Sequence, residues 1–286
     1  MTQRKAELLL AFVIMARATS FVFSKSCLAE MDTFNLLAVR FLLAFVALAL
    51  LFGKRLRRVK WHTVLRGCAL GAVFFIVTGF EITALHTADT SVVSALENTA
   101  IILVPLFEAV LERHLPRLLA ILSAVAAVAG VMLLNLHGGA IQFGRGEICA
   151  LLAAAFYAGA IILTDRFSHQ EDDTVVLGVV QVGTLGVLAL IASALLESPH
   201  LPYAGKTWVM VAVLALVCTC FGFTLQPVAQ RHTTAERSGL LCALNPVIAA
   251  VLGVVVLREH LSLPGILGIV LILGSLLLPY LRKETP

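Results

Sequence analysis

Residues 91–113 read SVVSALENTAIILVPLFEAVLER. A helix rises about 1.5 Å per residue and a bilayer's hydrocarbon core is about 30 Å thick, so this stretch is long enough to cross as one helix. It also carries Glu97, Asn98, Pro105 and Glu108. An ionised carboxylate at mid-membrane costs about 3 kcal/mol even on the mildest insertion scale, and such groups face a bundle interior or a water-filled cavity. The rest of the chain must therefore supply a bundle around this helix.

It has the material to do so. Of the 286 residues, 60% are hydrophobic and 13% charged, against about 25% charged in a soluble domain. Apolar runs of spanning length recur throughout, which is the pattern of a polytopic helical membrane protein. The six cysteines lie within or beside these runs with no C-x-x-C pair and no zinc spacing, so they read as buried free thiols. The formal charge of +4 is not a nucleic-acid signal, because the largest basic run, KRLRRVK at 54–60, sits between two apolar spans as a cytoplasmic loop does. The N-terminal MTQRKAELLLAFVIM resembles a signal peptide, but its apolar run continues past Arg17 with no clean cleavage site, so it reads as a retained first span.

Ten spans fit between the Gly, Pro and charged punctuation: 6–24, 34–52, 62–85, 90–111, 116–136, 147–164, 175–196, 207–229, 235–257 and 264–281. With the N-terminus cytoplasmic, 15 of the 21 Lys and Arg fall on the cytoplasmic side, 4 on the other (Lys25, Arg145, Lys206, Arg258) and 2 inside spans (Arg17, Arg40). That bias sets both termini in the cytoplasm.

The chain also repeats. A shift of 147 lays 87–134 on 234–281 and pairs Thr87, Ser91, Asn98 and Glu112 with Thr234, Ser238, Asn245 and Glu259. A shift near 140 lays Glu7 on Glu147 and Arg17 on Tyr157. Two halves of five spans, 1–137 and 146–286, must sit in the membrane with opposite orientation because five is odd. Inverted repeats of this kind belong to secondary transporters, with the binding site near the midplane between halves.

Ten spans in two halves resemble the EamA-type members of the drug/metabolite transporter superfamily. The residues that carry the likeness are Ser20-Phe21 followed by Lys25, Arg40-Phe41, Glu112-Arg113, and Asn245-Pro246 with Arg258-Glu259. The resemblance implies an all-α inner-membrane carrier, without cofactor or metal, that moves a small metabolite, such as an amino acid or related amphipathic compound, outward by alternating access. Where the family usually has Trp-Gly before the Ser/Asn-Phe of span one, this chain has Arg17-Ala18, so cargo identity does not carry over. Two further readings stand beside this one: an organic-cation or multidrug carrier, and a non-transporting scaffold or lipid-handling protein. Proton coupling and a homodimer are left open.

Helical rise puts Arg17 roughly 16 Å into span one, Glu81 roughly 20–25 Å along span three and Glu97 roughly 10 Å in from the outer end of span four. An arginine and two carboxylates at similar depth can compensate one another, and intramembrane charges mark substrate or ion paths. The expected substrate or coupling residues are Arg17, Glu81, Glu97, Asn98, Tyr157, Gln226 and Asn245, lining a cavity between spans one, three, four, eight and nine. Arg40 reads as structural, Glu108 as part of an interfacial ion network with Arg113 and Arg117, and Glu112 and Glu259 as architectural residues at equivalent helix ends. Neither H-E-x-x-H nor a phosphate-binding G-x-x-x-x-G-K-[ST] occurs, so nothing points to catalysis or direct ATP use.

Overall fold

The computed structural model describes residues 3–57, 59–113, 115, 118–134, 136–137, 140–141, 143–170, 173–222, 244–260 and 262–277. In chain order these form α1 (Gln3–Cys27), α2 (Thr33–Leu56), α3 (Trp61–Leu85), α4 (Thr90–Asn98), α5 (Ala100–Leu111), α6 (Leu118–Leu134), α7 (Arg145–Gln170), α8 (Thr174–Leu196), α9 (Gly205–Val213), α10 (Leu244–Leu257) and α11 (Leu263–Leu277). A π-helical stretch, Leu214–Phe221, continues α9. Between α6 and α7 lies a two-residue antiparallel hairpin, Leu136–His137 with Ala140–Ile141. Among the described residues, 6 spans are long and apolar enough to cross a membrane, α4 and α5 together making one, and 4 shorter apolar helices accompany them. The expected all-α membrane architecture is the one observed.

Helices pack as α2 on α8, α3 on α7 and α8, α6 on α11, and α10 on both α1 and α4. The main core joins Leu36, Phe41 and Leu48 of α2 to Ile82, Leu96, Leu185 and Leu214. In lipid the apolar effect does not drive helices together, so small residues and van der Waals fit matter more. The α6–α11 crossing depends on this. A Cβ on Gly268 would lie 2.7 Å from the Gly130 carbonyl oxygen, and one on Gly130 would lie 2.8 Å from the Gly268 carbonyl oxygen. Backbone meets backbone there, and neither side can yield. Gly268→Leu should separate the two helices and lower the melting temperature in detergent by roughly 5 °C or more. Gly274→Leu, on the same helix but facing open space, should leave it unchanged. Equal melting of the two variants would contradict the packing argument.

The opening stretch is not one helix. α4 ends at Asn98, α5 begins at Ala100, and Thr99 lies between them. The cause is local competition for carbonyls. Asn98 Nδ2 donates to Ser94 O at 2.7 Å and Thr99 Oγ1 to Leu96 O at 2.6 Å, while Thr99 N bonds Leu96 O three residues back. Such side-chain back-bonding bends helices. Pro105, by contrast, sits inside α5 without ending it.

Arg113 and Arg258 follow the helices of spans four and nine, and both adopt left-handed φ, 55° and 58°, the conformation that ends many helices.

Candidate functional site

α1, α2, α3 and α4 bring their charges to one place. Glu97 is 5% exposed and lies within electrostatic reach of Glu81 and Arg17. Glu81 in turn lies in reach of Arg40 and Arg17. The three deep charges expected to share a depth therefore lie within electrostatic reach of one another, and Arg40 lies in reach of Glu81 and Arg17. Arg17 and Glu81 are half-buried. Arg17 Nη2 donates to the Tyr157 hydroxyl at 3.2 Å, with its guanidinium 5.9 Å from the ring centroid. The Phe74 ring meets the Tyr157 ring edge-on at 6.1 Å. Residues that the 140-residue shift superimposes thus touch each other.

Arg40 is 8% exposed and well anchored. Its Nε donates to Thr219 Oγ1 at 3.0 Å and its Nη1 to Ser24 Oγ at 3.5 Å, and its Cζ lies 5.2 Å from the Phe41 ring centroid. Thr219 Oγ1 donates onward to Leu214 O, five residues back, at 2.9 Å. One hydroxyl thereby ties the buried arginine to the π-helical stretch, a feature frequent at functional sites.

The remaining expected residues divide. Asn98 is buried beside Glu97, with its Nδ2 committed to its own helix. Asn245 is 8% exposed on α10, and its Oδ1 has no hydrogen-bond partner among the described residues. Neither does Glu97 Oε2, nor Ser94 Oγ one turn before it on α4. Gln226 lies outside the described residues, so the contribution expected of span eight rests on α9 and the π-helical stretch alone. A buried acceptor without a donor is costly, and two of them on α4 and α10, which pack together, mark the polar interior of the bundle.

Sequence reasoning missed what closes one end of this bundle. Three helix N-termini there are capped by carboxylates from distant connections. Glu197 accepts from Phe34 N at 3.0 Å and Asn35 N at 2.8 Å, at the start of α2. Glu30 accepts from Ala204 N at 2.9 Å, and also from Tyr203 N and Thr207 Oγ1, at the start of α9. Glu259 accepts from Thr90 N at 2.7 Å, Thr90 Oγ1 at 2.9 Å, Ser91 N at 3.4 Å and Ser91 Oγ at 3.3 Å, at the start of α4. Orphan N–H groups and the helix dipole both favour an anion at such positions. Asp32 and Asp89 hold the N-cap positions of α2 and α4 but make no side-chain cap. Each of the three carboxylates joins residues of 1–137 to residues of 146–286.

Glu259 is the most enclosed of the three. Lys25 Nζ donates to it at 3.1 Å, to Asp89 Oδ1 at 3.3 Å and to Ala88 O at 2.9 Å. Burial pushes the Glu259 carboxyl up; the Thr90 N–H, the Lys25 charge and the remaining hydrogen bonds outweigh it and hold the group below the usual carboxylate range. The Glu30 carboxyl is held low as well, chiefly by the Thr207 hydroxyl and then by the α9 N–H groups. At the opposite end an ion pair between Arg55 and Asp173 is looser, 3.6 Å long and well exposed.

Known proteins share this architecture. A solved crystal structure superimposes on the chain with a TM-score of 0.70, covering 97% of each chain at 20% identity, which is a likeness of fold. An uncharacterized transporter of Archaeoglobus fulgidus is 27% identical over 264 residues, 89% of this chain and 90% of that protein. The uncharacterized transporter YetK of Bacillus subtilis is 28% identical over 178 residues, and the match spans 52% of its length. The family model described as "EamA-like transporter family" matches residues 4–136 and again 144–281. Two consecutive matches across nearly the whole chain place this multi-pass membrane protein, a transporter, in the EamA-like transporter family.

Proposed function

We propose that the protein is a secondary transporter that exports a small zwitterionic metabolite, an amino acid or related amphipathic compound, by alternating access. It sits in the cell (inner) membrane with both termini cytoplasmic, as inverted halves 1–137 and 146–286. The observation that carries the cargo class is the charge balance of the site. Glu81 and Glu97 alone with Arg17 would favour a cation. Arg40, in reach of Glu81 and Arg17, makes two acids and two bases. Arg17 or Arg40 holds the cargo carboxylate and Glu97 its ammonium group. The Arg17–Tyr157 contact supports this position, because twofold mates touch only near their axis, and inverted-repeat carriers bind cargo beside that axis.

Alternation follows from α4. Its N-terminus is held by Glu259 at the end that the Lys/Arg bias makes external, and Glu97 stands near its other end. At 9 residues the helix is roughly 13 Å long, short and stiff enough to pass a displacement from one to the other. The Lys25–Glu259–α4 latch is the closed outer gate. Cargo at Glu97 shifts α4 against α10 and releases Thr90 and Ser91, and the Thr99 break lets α4 move without α5.

A thermal-shift screen of the purified protein against amino acids, polyamines and quaternary amines tests the cargo class. Stabilisation by one or more amino acids, and none by their decarboxylated amines, is expected. The reverse pattern would move the reading to an organic-cation carrier.

A further inference from the structure

A groove of about 540 Å³ opens on the flank of the bundle between α3, α5 and α7. Val73 of α3, Phe107 and Leu111 of α5, and Phe156 and Gly159 of α7 line it, and Arg166 stands at one end. Among the described residues, Arg166 is the single charged member of the lining. It lies seven residues beyond Gly159 on α7, roughly 10 Å along the axis. The floor is open at Gly159, where a Cβ would meet nothing within 4 Å. A second cation stands beside the same end of α7: Arg66 has its Cζ 5.8 Å from the Phe167 ring centroid and donates from Nη1 to Gln170 O at 3.3 Å.

We propose that this groove is a binding site for an anionic phospholipid, with one acyl chain along Gly159 and the phosphate on Arg166. The argument rests on charge complementarity joined to shape. A purely apolar groove would take any lipid tail. This one ends in an exposed arginine on the side of the bundle that carries the basic loop 54–60, where the leaflet is rich in anionic headgroups and basic pockets between helices select them. The long arginine side chain reaches headgroup level from the end of a span. The volume falls within the range of small-molecule sites, about 300–1,000 Å³, and the opening faces the lipid, so a chain enters sideways without using the transport path. The site also adjoins the charge cluster. Phe156 stacks on Phe80 with ring centroids 6.0 Å apart, and Glu81 and Tyr157 are the next residues on the two helices. A bound chain therefore steadies the α3–α7 wall that carries Glu81 and the partner of Arg17.

Native mass spectrometry tests the proposal. The wild type, Arg166→Gln and Gly159→Leu are each purified and offered an equimolar mixture of phosphatidylglycerol and phosphatidylcholine. The wild type should retain one phosphatidylglycerol with about fivefold preference over phosphatidylcholine, the effect of one basic residue at a membrane surface. Arg166→Gln should retain both lipids equally, and Gly159→Leu, whose side chain fills the floor, should retain neither. Gly274→Leu controls for added bulk and should behave as wild type. Equal retention of the two lipids by the wild type would overturn the proposal, as would undiminished phosphatidylglycerol on Gly159→Leu. Loss of cargo binding in Gly159→Leu with lipid retention unchanged would also overturn it, by making the groove a second cargo site. These lipid readouts do not require a transport assay, so a protein that retains lipid as described but moves no cargo would fail only the transport reading.

Discussion

Glu97→Gln should abolish cargo transport in proteoliposomes, or uncouple it from any driving proton, while expression and melting temperature stay at or above those of the wild type. Glu97 is buried, with one carboxylate oxygen lacking a partner among the described residues, so the native fold gains little from its charge and bears the cost of desolvating it. Glutamine keeps the shape and removes the charge. If Glu97 holds the cargo's ammonium group, the loss is that of a charge-assisted hydrogen bond, about 1.5–3 kcal/mol, or about 10- to 100-fold in apparent affinity. A structural ion pair would behave in the opposite way: the variant would melt earlier and transport normally. Activity equal to wild type would remove Glu97 from the mechanism. Exchanging Arg17 and Glu97 adds a further measurement, since a direct pair should be partly rescued by the swap.

The second large effect belongs to the latch. Glu259→Gln keeps an acceptor for the Thr90 and Ser91 N–H groups but discharges the partner of Lys25, which retains Asp89. The outer gate should open more often. A cysteine introduced by Ser94→Cys in a cysteine-free background reports this, because Ser94 is fully buried on α4. Its labelling by an impermeant maleimide from outside should rise about tenfold or more in Glu259→Gln, in line with the loss of a charged hydrogen bond. An unchanged rate would leave Glu259 with helix capping alone. Acid should act on the same element, and late. Because the folded carboxyl is held below the usual value near 4.5, its contribution is complete above that pH and is lost only as the pH falls through the lower folded value. Labelling, taken relative to a free thiol at the same pH, should therefore stay slow through the neutral range and accelerate only once the pH has fallen below the usual carboxylate value.

The helices were legible in the sequence because lipid imposes a simple rule: a span is a long apolar run, and an interrupting charge must face inward. Arg17, Glu81 and Glu97 obey it, and helical rise alone put them at one depth. Arg40 was harder to read. A long side chain two turns into a span can snorkel outward or fold inward, and only the Thr219 hydroxyl, 179 positions away, decides between these. The break at Thr99 was hidden because proline is the expected kink, whereas Asn98 and Thr99 take the helix's own carbonyls. The latch was out of reach for a different reason. Asp32 and Asp89 look like local N-caps, yet the anions that cap α2 and α4 lie 162 and 169 positions away, and no local pattern encodes a cap supplied by the other half of the fold.

Counterflow in proteoliposomes tests the central claim most directly. Vesicles are loaded with an unlabelled amino acid that stabilises the protein, diluted, and given a trace of the same compound labelled. A carrier that alternates around one site should accumulate label transiently above its equilibrium level, because unlabelled internal cargo fills the site on its outward return and keeps the label from leaving. Label that equilibrates no faster than in protein-free vesicles, for every compound that stabilises the protein, would contradict alternating access.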